Sequence, residues 1–278
     1  MRLRMGGQEY DLTHRALVMG ILNRTRDSFY DAGRHYDLDA LLCRAAELVA
    51  GGADVLDVGA RAGGVGVREV TVEQERDLVV ETVVALRERF DVPVSVDTRH
   101  GAVAAAAFAA GAALGNDMSG FRDPDYLPAV AAADAAAVAT HIRLPPGVPD
   151  PDPVYHNVVT DVRTALAGLV DRALRAGVHP DSVIVDPGLD LGKTWQQSVE
   201  LLAGTDRFTT LGRPVLVAAS HKIFLGRLLG LDKDERAPAT VAACALGVHL
   251  GARVVRVHDA AGARQAVDLA TALVRASA

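Results

Sequence analysis

Short apolar runs alternate with longer helical stretches along almost the whole chain, and this alternation recurs eight times. The runs are rich in valine, leucine, isoleucine and alanine. Nearly continuous apolar runs are typical of strands buried on both faces, and such strands occur in parallel sheets that helices cover. We predict eight parallel strands, at 17–22, 55–58, 94–97, 113–116, 137–140, 183–186, 215–218 and 254–257.

The segments between these runs have the composition of helices. Those at 38–50, 72–89, 158–176 and 238–250 are rich in alanine, leucine and arginine, which are good helix formers. Eight successive strand–helix units without a linker predict an α/β fold, a single (β/α)8 TIM barrel that forms one domain over 1–278. An open Rossmann-like sheet is the alternative that this pattern leaves open.

Residues 1–12 precede the first predicted barrel strand. Two glycines, Gly6 and Gly7, separate the segments 3–5 and 8–12. Paired glycines between short strands are typical of a tight hairpin turn. We therefore expect a short N-terminal β-hairpin, placed so that it plugs the bottom of the barrel.

The bulk composition argues against several classes of protein. Half of the residues are apolar and 23% are charged, which is the balance of a soluble globular enzyme. The net charge of −6 and the aromatic content of 4% argue against a nucleic-acid partner. The first residues lack the apolar run of a signal peptide and no segment has the length of a membrane span, so we expect a cytoplasmic protein. Cys43 and Cys244 are interpreted as packing residues in a reducing compartment.

Polar residues stand at the carboxyl end of each apolar run. In a barrel these ends meet on one face, where active sites are found. The residues are Asn23, Asp57, Asp97, Asn116, His141, Asp186, Ser220 with Lys222, and Arg256 with His258. Carboxylates and an amide accept hydrogen bonds from a ring rich in N–H groups, whereas lysine, arginine and histidine hold a phosphate or a departing anion. The set predicts a polar heterocycle that carries a phosphate.

Two other signals are weaker. The segment 188–194 resembles a phosphate-binding P-loop, but it has three residues between its glycines where that loop has four. The nine histidines show no spacing of the kind that binds zinc. We therefore expect neither a nucleoside-triphosphate site nor a zinc site.

Six motifs, in order, resemble those of the dihydropteroate synthase family. The first is Asn23-Arg24-Thr25-Arg26-Asp27-Ser28-Phe29, and the later ones are Ser95-Val96-Asp97-Thr98, Asn116-Asp117-Met118-Ser119-Gly120, Asp186-Pro187-Gly188 with Gly192-Lys193, Ser220-His221-Lys222, and Arg256-Val257-His258-Asp259. The resemblance extends from Val18 to Asp259. It implies a pterin-binding barrel that joins 6-hydroxymethyl-7,8-dihydropterin diphosphate to p-aminobenzoate in folate biosynthesis and releases pyrophosphate.

The same resemblance implies roles for individual residues. Those that contact the pterin would be Asp97, Asn116, Asp186, Lys222 and Arg256. Pyrophosphate would be held by Asn23, Arg256 and His258, with Asn23 also meeting a Mg²⁺ ion. Ser220 would meet the carboxylate of p-aminobenzoate. The catalytic residues would be Asp97, Asp57, Lys222 and Arg256. The family also implies a homodimer formed through helices near the C-terminus.

The sequence departs from the family pattern mainly where the second substrate is enclosed. The second loop keeps its length, but Ala62-Gly63-Gly64-Val65 stands where the family has Ser-Thr-Arg-Pro. Arg26 replaces a proline, Asp190-Leu191 replaces Gly-Phe, and His221 replaces an arginine. Thr140 and Ile142 flank His141 where methionines are common. The chain therefore resembles a diverged paralogue, with weak synthase activity or a different second substrate.

Two other functions stay open at this point. One is a catalytically inactive paralogue that binds a pterin or a pterin phosphate as a sensor or a partner subunit. The other is a methyltetrahydrofolate-binding methyltransferase domain, which would share the carboxylate and amide acceptors. Asn23 and the Arg256-x-His258 pair argue against the latter, since they are the residues expected to hold pyrophosphate.

Overall fold

The computed structural model describes residues 1–24, 37–60 and 70–276. Its strands form two sheets, one with two strands and one with eight. In chain order the strands are β1 (Arg2–Met5), β2 (Gln8–Asp11), β3 (Leu17–Asn23), β4 (Val55–Gly59), β5 (Val94–Asp97), β6 (Leu114–Asp117), β7 (Ala136–Thr140), β8 (Val183–Asp186), β9 (Leu216–Val217) and β10 (Val254–Val257).

Helices follow the strands of the large sheet. They are α1 (Leu38–Ala50), α2 (Val72–Arg89), α3 (Gly101–Ala109), α4 (Tyr126–Ala132), α5 (Val158–Arg175), α6 (Trp195–Ala203), α7 (Thr205–Thr209), α8 (Ile223–Leu229), α9 (Ala237–His249) and α10 (Ala260–Ala276). Side chains before the first turns set several of these starts. Asp37 caps α1, and Thr71 forms a reciprocal capping box with Gln74 at the start of α2.

The eight-stranded sheet closes on itself as a barrel. Its strand order is β8-β7-β6-β5-β4-β3-β10-β9, and every pairing between neighbours is parallel. A parallel bridge between Val185 and Val215 joins the two ends of this order. The predicted (β/α)8 barrel is therefore confirmed, and the open sheet is not what the chain forms.

Alternation along the strands divides the barrel's apolar residues into two sets. One set faces the helices and includes Val18, Val96 and Val255. The other fills the barrel interior and includes Leu17, Ile184 and Val254, which lie at or near the amino ends of their strands. Because side chains alternate in a strand, the residues two and four positions after these interior ones also point into the barrel.

The hairpin of β1 and β2 covers the amino ends of the barrel strands. Its strands are antiparallel, and Gly6 and Gly7 both have positive φ, the conformation that a two-glycine turn needs. Leu3, Met5 and Leu12 are buried within the same cluster as the interior barrel residues. The predicted hairpin and its position under the barrel are thus confirmed.

The element bounds differ little from those predicted. Helices α1 and α2 have the expected ends, α5 differs by one residue at its C-terminal end, and α9 differs by one residue at each end. Strand β9 is shorter than expected, since only Leu216 and Val217 keep strand geometry. Among the helices at 1–24, 37–60 and 70–276, none combines the length and the apolar character needed to cross a bilayer.

Candidate functional site

Polar side chains occupy the carboxyl-end half of the barrel interior. Most of them follow an interior apolar residue of the same strand at a spacing of two or four, so alternation turns them inward. On β5, Val94 and Val96 belong to the helix-facing set, so the residues that alternate with them point inward. These residues are Asn23 on β3, Asp57 on β4, Ser95 and Asp97 on β5, Asn116 on β6, Thr140 on β7, Asp186 on β8, and Arg256 with His258 at the end of β10. The structure therefore brings the predicted strand-end residues other than His141 together at one end of the barrel.

Asp57 is the most deeply bound of these groups. It is fully buried, and one carboxylate oxygen accepts from Ser95 Oγ at 2.6 Å. The other oxygen accepts from Asn116 Nδ2 at 3.0 Å and from Arg256 Nε at 2.6 Å. Three donors, one of them a cation, offset the cost of burying the Asp57 carboxylate. Asp57 therefore fixes the positions of Asn116 and Arg256.

Arg256 lies between two carboxylates. Its Nη2 donates to Asp97 Oδ2 at 2.6 Å, while its Nε binds Asp57. Burial raises the pKa of Asp97 to about 7, although Arg256 draws it down, and Asp57 adds to the rise. One guanidinium neutralises only one of two carboxylates, so Asp97 takes up a proton near neutrality. Asp57 and Asp97 in turn raise the pKa of Arg256 against the effect of burial, and the guanidinium stays charged.

Asp186 is held by the turn that follows β8. Its Oδ1 accepts from the backbone N–H of Gly188 at 2.7 Å, and its side chain is only 5% exposed. Burial raises its pKa, and the nearby cations Lys222, Lys193 and Arg256 oppose that rise. The carboxylate is thus fixed in direction and sits in a positive field.

Lys193 ties the loop after β8 to the end of β7. Its Nζ donates to the carbonyl oxygens of His141 at 3.1 Å and of Leu191 at 2.9 Å. Burial lowers the pKa of Lys193 to about 7, and Asp186 partly offsets this. The segment that resembled a P-loop therefore has a structural use, since its lysine binds backbone carbonyls.

Gly188 is required by the same turn. Its φ is +69°, and a Cβ at this position would lie 2.1 Å from the carbonyl oxygen of His141. We expect Gly188→Ala to lower the free energy of unfolding by at least about 3 kcal/mol, because the backbone must shift as well as adopt a left-handed conformation. Chemical denaturation of the purified protein measures this loss.

Gly192→Ala is the matched control for that substitution. Gly192 also has a left-handed φ, of +63°, but the nearest atom to an added Cβ, Asp150 Oδ2, lies at 3.4 Å. It should lose only about 1–2 kcal/mol. Equal losses in the two variants would show that the close approach of Gly188 to β7 is not what constrains this loop.

Lys222 and Asp190 meet where the loops after β8 and β9 approach each other. Lys222 precedes α8, and burial lowers its pKa while Asp190 and Asp186 raise it. Asp190 Oδ2 accepts from the backbone N–H of Phe224 in the first turn of α8 at 3.2 Å, and Asp190 Oδ1 accepts from Ser198 Oγ at 3.3 Å. Asp190, noted in the sequence only as a departure from the family, therefore anchors the helix that presents Lys222.

Ser220 and His258 form a second contact across the β9–β10 side of the site. Ser220 Oγ lies 2.8 Å from His258 Nδ1 and accepts from the His258 backbone N–H at 3.2 Å. Burial, reinforced by the positive charge of Arg256, lowers the pKa of His258 to about 3, so its imidazole is neutral near pH 7. The ring of His221 packs edge-on against it, with 5.6 Å between centroids.

Asn23 at the end of β3 and Asp97 at the end of β5 both pair with Gly59 of β4, which lies between them. The Cβ position of Gly59 is 3.5 Å from Asn23 Oδ1 and 3.8 Å from Asp97 Oδ2, so the two oxygens flank this glycine. Within the part of the chain that the structure describes, no three histidine, cysteine or acidic side chains cluster as a metal site would require. Amide and carboxylate oxygens of this kind suit Mg²⁺, which is commonly held by one or two protein oxygens together with substrate phosphates.

The end of β7 differs from expectation. The sequence interpretation counted His141 among the converging residues, but alternation places Thr140 on the face of Ala136 and Val138, which belong to the interior cluster. The His141 ring instead lies 6.1 Å from the ring of Tyr155, between centroids. Alternation read from Val138 would have identified Thr140 from the sequence. The motif at 25–29 and the altered second-loop positions 62–65 lie outside the described residues.

Comparison with known proteins places this arrangement in a family. The profile of the pterin-binding enzymes matches residues 19–258. A dihydropteroate synthase of Clostridium beijerinckii is 35% identical over 275 residues, which cover 98% of this chain and 100% of that protein. A probable bifunctional folylpolyglutamate synthase/dihydropteroate synthase of Haloferax volcanii is 40% identical, and the match covers 96% of this chain but only 32% of that longer protein.

A solved structure agrees with these sequence relations. The dihydropteroate synthase of Xanthomonas albilineans in complex with 7,8-dihydropteroate superposes with a TM-score of 0.87 at 36% identity, and the match covers 98% of each chain. The family match spans every residue of the polar cluster, from Asn23 to His258. The chain belongs to the dihydropteroate synthase family of pterin-binding enzymes.

Proposed function

We propose that this protein is a dihydropteroate synthase, which condenses 6-hydroxymethyl-7,8-dihydropterin diphosphate with p-aminobenzoate and releases pyrophosphate. The observation that carries the proposal is the buried cluster in which Asp57, Asp97, Asn116, Asp186 and Arg256 converge inside a barrel of this family. Such a cluster offers acceptors for a ring rich in N–H groups and cations for a departing anion.

The pterin ring would be held by Asp97, Asn116, Asp186, Lys222 and Arg256. Since Asn116 uses its Nδ2 on Asp57, its amide oxygen is the group left to accept from the ring. The Gly188 N–H orients the Asp186 carboxylate toward the same space. Lys222 would contact the ring oxygen and the N5 side of the ring. Arg256 would pack against the ring while Asp57 continues to neutralise its charge.

The leaving pyrophosphate would be held on the opposite side by Asn23, Arg256 and His258. His258 is neutral, and when Ser220 donates to its Nδ1 the ring proton is on Nε2, where it can donate to a phosphate oxygen. Asn23, whose amide oxygen lies near Gly59 at the same strand ends, would hold Mg²⁺. When bound, that ion neutralises charge on the diphosphate and favours its departure.

The bond from the pterin methylene to the diphosphate breaks first, and the arylamine nitrogen then attacks the cation-like carbon. Asp97 would stabilise the developing positive charge. Asp57 touches no substrate in this scheme, because its oxygens are bound by Ser95, Asn116 and Arg256, and it acts as a positioning residue. No strong base is needed, since the amine is a neutral nucleophile. Ser220 would hold the carboxylate of p-aminobenzoate by turning its one hydroxyl proton from His258 Nδ1 to that carboxylate.

The titration of Asp97 predicts how binding depends on pH. The ionised carboxyl accepts hydrogen bonds from the pterin more strongly than the protonated one, which also carries a proton of its own. Affinity should therefore fall as pH drops through about 7, by up to roughly tenfold per pH unit further down. The stability of the ligand-free protein should change in the opposite sense. The contribution of the raised Asp97 pKa to the free energy of unfolding is fully present below the unfolded pKa of 3.8 and is lost as pH rises through about 7. Calorimetric titration between pH 5.5 and 8.5 measures the first effect, and Asp97→Asn should flatten the profile.

A coupled assay tests the reaction itself. It contains the dihydropterin diphosphate, Mg²⁺ and labelled p-aminobenzoate, and it follows both pyrophosphate release and labelled product. We expect product above the rate without enzyme, lost in Asp97→Ala. Pyrophosphate release without labelled product would point to a different second substrate, in keeping with the replaced residues at 62–65. Pterin binding with neither signal would overturn the proposal in favour of a non-catalytic pterin-binding protein.

The same family implies a homodimer through the C-terminal helices. Helices α9 and α10 pack against each other and expose Leu246, Leu269 and Leu273, each by more than half of its surface. Exposed leucines on two helices that pack against each other suit a self-complementary interface. Light scattering after size-exclusion chromatography should give twice the chain mass, and Leu269→Lys should halve it. The cytoplasmic location stays a prediction from the sequence.

A further inference from the structure

Thr140 carries a hydroxyl without a partner in the middle of the site. The residue is 1% exposed, and its Oγ1 has no hydrogen-bond partner among the residues that the structure describes. Buried hydroxyls elsewhere in the site are bonded: Ser95 donates to Asp57 and Thr98 donates to Glu75. About nine-tenths or more of buried polar groups have a hydrogen-bond partner in folded proteins. An unpaired hydroxyl at this position therefore indicates that a bound ligand supplies the partner.

The position of Thr140 indicates what would satisfy it. Thr140 is the Cα partner of Asp186 in the parallel pair β7–β8. On its other side, Asn116 of β6 pairs with Val138, two residues earlier on the same face of β7. The hydroxyl therefore lies on the inner wall of the barrel, between a carboxylate and an amide that are both proposed to bind the pterin ring.

We infer that Thr140 is a specificity-determining residue, whose hydroxyl hydrogen-bonds the edge of the bound heterocycle between Asn116 and Asp186. A hydroxyl both donates and accepts, so it favours a ring edge that presents N–H groups and acceptor nitrogens in alternation over an edge of C–H groups. The inference rests on the proposed function and adds to it a contact made by this chain's own threonine.

Valine in place of threonine tests this inference through two effects of opposite sign. Thr140→Val keeps the shape and removes the hydroxyl. Without ligand it should raise the midpoint of thermal unfolding by about 2–4 °C, because an unpaired buried hydroxyl is removed. Calorimetry with 6-hydroxymethyl-7,8-dihydropterin diphosphate and Mg²⁺, in the absence of p-aminobenzoate, should show affinity weakened by about tenfold. Thr140→Ser, which keeps the hydroxyl, should retain most of the affinity.

Ser182→Ala is the matched control. Ser182 is fully buried, its Oγ also has no partner among the described residues, and it directly precedes β8 at the end opposite Asp186. Its loss should leave pterin affinity unchanged. If the wild-type protein binds the ligand and Thr140→Val binds it equally well, the inference is overturned and the proposed function stands. If the wild-type protein does not bind the ligand, both are overturned.

Discussion

Asp186→Ala will abolish tight binding of the pterin substrate. We expect Kd to rise by roughly 30- to 5,000-fold, equivalent to about 2–5 kcal/mol, because a buried ring loses its charged acceptor. The carboxylate is almost fully buried and is oriented by the Gly188 N–H, so no other group can take its place at this strand end. Isothermal titration calorimetry with the dihydropterin diphosphate and Mg²⁺ measures the change.

Asp186→Asn separates the loss of charge from the loss of the turn. Asparagine keeps an oxygen for the Gly188 N–H, so the loop geometry should survive while the charge is removed. We expect this variant to unfold at nearly the wild-type temperature and to bind the ligand at an intermediate affinity. An unchanged Kd in Asp186→Ala would refute the assignment of the pterin to this part of the barrel.

Arg256→Met will both inactivate and destabilise the protein. It leaves Asp57 and Asp97 buried without their shared cation, and removal of one partner of a buried ion pair costs about 3–5 kcal/mol. The same change removes a contact to the pterin and to pyrophosphate, so product formation should fall below detection. Urea denaturation and the coupled assay measure the two losses on one preparation.

The destabilisation of Arg256→Met should depend on pH. Arg256 lowers the pKa of Asp97, so its removal raises that pKa further above the unfolded value, and the cost is greatest where the carboxyls must ionise. The loss of stability should thus be larger at pH 8 than at pH 5. Arg253→Met is the control, since Arg253 precedes the same strand at its far end and donates to the Ala252 carbonyl. A loss that does not vary with pH would contradict the charge argument.

The elements of the fold could be predicted from the sequence where local signals and burial agree. Helices α1 and α2 begin after Asp37 and Thr71, whose side chains cap them, and both helices have the predicted ends. Strand β9 could not be bounded in this way. Its run continues into Ala218 and Ala219, but only Leu216 and Val217 pair with β10, and Val215 forms a single bridge to Val185 of β8. The extent of this pairing depends on the partner strands.

The sequence was enough to predict most of the residues that converge at the site, but not the hydrogen bonds between them. Strand ends converge in any barrel, so Asp57, Asn116 and Arg256 were expected near one another. The sharing of Arg256 by two carboxylates depends on side-chain directions that no linear spacing encodes. Thr140 was not predicted as a site residue because the prediction chose the polar residue that follows the run 137–140, namely His141. The two-residue period of a strand instead selects the residue before it.

The ion pair between Arg256 and Asp57 also determines when the site can form during synthesis. The two residues are 199 positions apart in the chain, and translation at about 5–20 residues per second therefore delivers the arginine about 10–40 s after the aspartate. Until then β4 and β5 expose carboxylates that no completed sheet can bury at low cost. A chain that stalls before β10 would leave β9 and β3 without the strand that pairs with both of them, so the barrel and its central ion pair close only in the last stage of synthesis.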